Sequence, residues 1–190
     1  MIEYKILLGI LSVLVGIAAY IVYFRNILSG KTKPHAFSWL VWGILTGIAF
    51  AAQISQGAGP GAWVTGSSAI LCAVIFLLAL SKGERDFPLI DWLFLAGAGL
   101  ALAWWIFTKD PTGSVILVII TDALAFVPSF RKAYSRPYEE TALTFALNGL
   151  KFLIALFAMS AISLATALYP AYLVIANASY VTLILVRRRQ

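Results

Sequence analysis

Two ionisable residues stand inside long apolar runs: Asp122 in VIITDALAFVP and Lys151 in NGLKFLIALF. At the centre of a bilayer an unpaired charge costs ~2.5–3.5 kcal/mol on insertion scales. Pairing relieves much of that penalty, so Asp122 and Lys151 are expected to meet. Burial disfavours the charged form of each group while mutual attraction favours it, which suits the pair to a proton- or solute-responsive role. A static bolt between two helices explains the same residues equally well, because a buried ion pair is weak evidence for either.

Uncharged polar and aromatic residues fall at similar depth. Asn148 lies one turn from Lys151 on the same helical face, and Trp42 shares a stripe with Trp39, Thr46 and Gln53. Asn177 is followed three residues on by Tyr180, and Thr65, Ser68 and Cys72 share another face. An aromatic wall with a few amides fits a small polar solute, the rings covering its apolar side and the amides taking its hydroxyls. The candidate binding set is therefore Trp42, Thr46, Asn148, Asn177 and Tyr180. The plainer reading is that each packs, or makes an interhelical hydrogen bond of ~0.6 kcal/mol.

Positioning these residues requires membrane-spanning helices. The chain has 190 residues, of which 62% are hydrophobic and 12% charged, a composition that excludes a soluble domain with a charged skin. Hydropathy with Gly, Pro and charge breaks predicts seven spans, at 5–24, 36–54, 63–81, 90–108, 113–130, 141–159 and 165–186. Each is near the ~20 residues that cross ~30 Å of hydrocarbon. Long continuous apolar runs are helices rather than barrel strands, so the expected fold is all-α and integral to the membrane. Counting from Thr141, Lys151 lies ~15 Å into span six at the helical rise, and Asp122 lies about as deep from Gly113.

Charge orients the bundle. With the N-terminus outside, Arg25, Lys31, Lys33, Lys82, Arg85, Arg131, Lys132, Arg136 and Arg187 to Arg189 lie on one side, and only Lys5 and Lys109 on the other. The positive-inside rule gives N-out, C-in. The net charge of +6 then reflects orientation and contact with anionic headgroups, not a nucleic-acid partner. The first span lacks a small-residue cleavage site and is expected to stay in the mature protein. One Cys and one His argue against a disulfide framework or a metal cluster. No nucleophile–base pair or phosphate-cradling loop is evident, so neither an enzyme nor a cofactor is expected.

Sliding the chain against itself by 106 residues matches Ala19, Phe24, Arg25, Ser29, Ala36, Gly43, Ile48, Ala49 and Ala52 with identical residues. Two three-helix units facing the same way are expected, 1–83 and 112–190, joined by a linker helix at 84–111 whose small residues from Gly97 let neighbours approach. Asp122 has Gly16 as its counterpart and Lys151 has Leu45.

This plan, with AFVPSFRKAYS at the end of span five and AYIVYFRNILSGKTKPHAFSW at the end of span one, resembles the PQ-loop superfamily of SWEET-like transporters. Pro128 matches the family's proline and Ser129 stands at its glutamine. The resemblance implies a hinge at Pro128, a solute site carrying over to Trp42 and Asn177, and proton coupling at a membrane aspartate, here Asp122. Asn148 departs from the tryptophan expected there. The expected function is a transporter or facilitator of a small polar solute, sugar-like or another metabolite, by alternating access between two halves. The expected location is the cytoplasmic membrane, with a small-molecule solute and the lipid bilayer as partners and a homo-oligomer left open. The alternative is a receptor or sensor that binds a ligand in the same cavity without moving it. A retinal protein fits less well, since its lysine belongs on span seven and the repeat would go unexplained.

Overall fold

A computed structural model describes residues 2–30, 34–83, 89–135, 137–139 and 142–189. Nearly all of these are helical, and no strand occurs among them. In chain order the helices are α1 (Ile2–Leu28), α2 (Ala36–Ser55), α3 (Trp63–Lys82), α4 (Leu89–Thr108), α5 (Pro111–Ser135), α6 (Ala142–Ala158) and α7 (Leu164–Arg187), with short 3₁₀ turns at Gly59–Ala62 and Pro137–Glu139. Four stretches are long and apolar enough to cross a membrane: Glu3–Arg25, Ala36–Ser55, Gly59–Lys82 and Leu164–Arg187. Trp92–Thr108, Pro111–Val127 and Ala142–Ala158 are shorter apolar helices. Large apolar side chains such as Leu7, Leu14, Ile70, Leu77, Phe107 and Ile175 point outward, as an integral membrane protein requires.

Local chemistry sets the helix ends. The chain leaves α1 through Gly30, whose φ of 73° lies in the left-handed region that favours glycine. Asp110 Oδ1 accepts from the Thr112 amide at the start of α5, and Pro111 there forfeits only a donor that a first turn leaves unpaired. α7 opens with a reciprocal cap, the Ser163 side chain accepting from the Thr166 amide while Thr166 Oγ1 accepts from the Ser163 amide.

The third helix of each expected unit packs on the other two. α3 lies along α1 and α2, and α7 along α5 and α6. A glycine permits close approach in both cases: a Cβ added to Gly43 would lie 3.5 Å from Cys72 Cβ, and one added to Gly149 would lie 3.3 Å from Asn177 Cβ. Across the middle of the molecule α1 packs on α6 and α2 on α5, while α4 rests on α5 and α2. Gly97 of α4 faces the Thr121 side chain so closely that an added Cβ would meet it at 2.8 Å, in keeping with the small-residue role expected of that helix.

One cross-link follows from elementary backbone chemistry. Pro170 sits inside α7 and has no N–H, so the carbonyl of Thr166 loses its helical donor. Gln53 of α2 supplies the replacement, its Nε2 donating to Thr166 O at 3.2 Å with both residues buried. A proline is tolerated inside an apolar helix when a neighbouring helix satisfies the freed group in this way.

The two ends of the bundle are tied differently. At the end carrying Arg187 and Arg188, Nε of Arg187 donates to Tyr134 O and Nε of Arg188 to Pro137 O, and the guanidiniums lie over the Tyr134 and Tyr138 rings. At the opposite end, the Ser160 amide donates to Ala58 O at 2.9 Å and Lys5 Nζ to Met159 O at 2.8 Å. Gly59 and Gly61 press so tightly on Ser160 and Met159 there that neither leaves room for a Cβ.

Candidate functional site

Lys151 projects from the middle of α6 and is 1% exposed. Because α6 packs on α1 as well as α7, its side chain runs across the surface of α1. Gly16 leaves the room, since a Cβ there would come within 3.2 Å of Lys151 Cδ and 3.9 Å of Nζ. Nζ donates to Ser68 Oγ of α3 at 3.1 Å. It also lies 4.9 Å from the centroids of the Tyr20 and Phe152 rings, a distance at which an aromatic quadrupole attracts a cation.

Asp122 is also buried, at 2% exposure, but its partner is on another helix. Tyr172 of α7 donates its hydroxyl to Asp122 Oδ2 at 2.7 Å, and the Tyr172 ring stacks on Tyr169. The expected ion pair is therefore not formed: Asp122 and Lys151 each have a different partner. Helical rise fixes depth but not direction. α6 turns its lysine toward α1 and α3, and α5 turns its aspartate toward α7, so the equal depth expected from residue counting does not bring the two together.

The remaining expected residues divide between two aromatic clusters and the seam of α6 with α7. Trp42 is half-buried and meets Trp39 edge-on at 5.3 Å, within a cluster that also holds Tyr20, Tyr23, Cys72 and Ile75. Thr46 donates its hydroxyl to Trp42 O of its own helix at 2.6 Å. Tyr180 is fully buried, with ring contacts to Phe126, Phe130 and Phe145. Asn177 Nδ2 donates to Leu173 O, again within its own helix. Asn148 lies in the same half-buried stretch of α6 as Lys151, and its Oδ1 is buried without a hydrogen-bond partner. Among the described residues no hydrogen bond or ring contact joins Trp42 to Asn148 or Asn177. Pro128 falls within α5, and its side chain is outside the described residues.

Two further buried polar atoms lack partners, Gln53 Oε1 and Thr65 Oγ1. Each such group carries a desolvation cost of ~1–3 kcal/mol when nothing meets it, and with Asn148 Oδ1 these atoms lie on α2, α3 and α6. Among the described residues no three His, Cys, Asp or Glu side chains gather to hold a metal. Sequence reasoning missed Gly16 as the slot for Lys151, Tyr172 as the donor to Asp122, and the Gln53–Pro170 link. A mid-helix proline four residues after Thr166 was the available signal for the last.

No family model, curated protein or solved structure matches this chain.

Proposed function

We propose that the protein carries a small polar solute across a membrane by rocking two three-helix halves, α1–α3 and α5–α7, about a site at their seam. The reading includes seven spans, an N-out, C-in orientation from the charge distribution, and a parallel repeat. Kinship with the PQ-loop superfamily remains part of it. The neighbour pattern supports the repeat, because exchanging α1 with α5, α2 with α6 and α3 with α7 leaves every helix contact between and within the halves in place. The aromatic clusters exchange too: Tyr20, Phe24 and Trp39 fall on Phe126, Phe130 and Phe145 at the 106-residue shift. Cys72 and Asn177, each facing the glycine of the preceding helix, match one residue off that shift.

The observation that carries the function is Lys151. It belongs to the second half and reaches across the seam, past Gly16 of α1 to Ser68 of α3, while Asn148, one turn from it on α6, and Thr65, one turn from Ser68 on α3, each hold an unpartnered polar atom. A solute bound there would touch both halves, which is the condition for coupling their motion to its passage. Purified protein in liposomes tests this: uptake of sugars, amino acids and small acids, with and without a pH gradient. We expect saturable flux that falls at least tenfold in Asn148→Ala. Ligand-dependent thermal stabilisation with no flux under any gradient would instead make the protein a receptor.

A further inference from the structure

The geometry points to the chemical class of the solute: a small carboxylate, whose anionic group docks on Lys151 Nζ and the Thr65 hydroxyl. This rests on the solute-binding reading above and deepens it. An ammonium carries three donors, and among the described residues Lys151 uses one, on Ser68. Tyr20 and Phe152 offer ring faces but no lone pair of conventional strength. The natural counter-ion, Asp122, is bound to Tyr172, so among the described residues no anion is paired with the buried Lys151.

The neighbouring hydroxyls sharpen the choice. Ser68 donates to Val64 O at 2.7 Å, so its lone pair receives Lys151 and its proton is in use. Thr65 is fully buried on α3, one turn away on the same face, and its hydroxyl has no partner. Unused donors therefore stand on the Lys151 ammonium itself and on Thr65, one turn along α3 from the serine that it bonds. A neutral sugar hydroxyl would fill the valences without meeting the charge, whereas a carboxylate satisfies both, and charge-assisted hydrogen bonds are about twice as strong as neutral ones. Asn148 Oδ1, one turn from Lys151 on α6 and without a donor, would accept from a hydroxyl or amine elsewhere on the same molecule.

The test uses full-length protein in detergent at fixed ionic strength, with lactate, glycolate and benzoate each paired with its carboxamide. Binding is read by thermal stabilisation and by calorimetry. We expect each carboxylate to bind at least tenfold more tightly than its amide, the preference to vanish in Lys151→Gln, and Thr65→Val to reduce it at least threefold. Should Lys151→Gln fail to fold, Thr65→Val and Lys151→Arg decide, the second retaining the preference. Equal binding of acid and amide, binding of neither series, or an equal effect from chloride alone overturns the assignment. Flux of an uncharged solute in the liposome assay, with no preference for acids, would overturn it while leaving the transport reading standing.

Discussion

Asp122 and Lys151 each occupy the middle of a helix in the second half of the chain, and the protein surrounds them in opposite ways. Asp122 is held within that half, by a tyrosine hydroxyl from α7 at 2.7 Å. Lys151 leaves its half, lies over Gly16 of α1 and reaches a serine of α3. At the 106-residue shift Gly16 falls on Asp122 and Leu45 on Lys151, so neither charged residue aligns with another charge. Two oppositely charged residues at a similar distance along their helices therefore do not make a pair; the faces of the helices decide.

The contrast can be broken most forcefully at Gly16. Leucine there would intrude on the Lys151 stem and on Val64, whose Cγ2 lies 3.6 Å from the position of an added Cβ. We expect destabilisation of about 3 kcal/mol, the upper end for overpacking, together with loss of ligand binding, read by unfolding in detergent. Tyr172→Phe acts on the other side of the contrast. Leaving Asp122 without its donor should cost about 2 kcal/mol, within the range for hydrogen bonds to ionised groups, yet spare solute preference, because Tyr172 touches the aspartate and not the lysine. Equal loss of binding in both variants would erase the distinction. Gln53→Leu should cost about 1 kcal/mol, and the cost should disappear in a Pro170→Ala background, where the Thr166 carbonyl regains a backbone donor.

Much of the fold was legible because apolar run length is a direct consequence of bilayer thickness. The expected 36–54, 63–81 and 165–186 each end within one residue of α2, α3 and α7. Gly43 and Gly149, identical at the 106-residue shift, both lie against the helix that follows them, at Cys72 and Asn177. What could not be read was azimuth. Lys151 and Asn148 share a helix face whatever that face touches, but which helix lies opposite depends on how α6 meets α1. The mismatch of Lys151 with Leu45, and of Asp122 with Gly16, was the visible clue, and it becomes informative only once α1 is known to pack on α6 and α2 on α5. Thr46 and Asn177 illustrate a second limit. Their polar groups turn back to carbonyls of their own helices, a local competition that spacing alone does not reveal.

Double-mutant cycles on Lys151 decide which side chain holds it, with unfolding free energies measured for Lys151→Met combined in turn with Ser68→Ala and Asp122→Asn. A lysine that bonds Ser68 across the seam predicts a coupling of about 1 kcal/mol with Ser68, and additivity within ~0.5 kcal/mol with Asp122. Coupling to Asp122 of several kcal/mol, with none to Ser68, would mean that the two charges meet after all and that the seam is held by an ion pair.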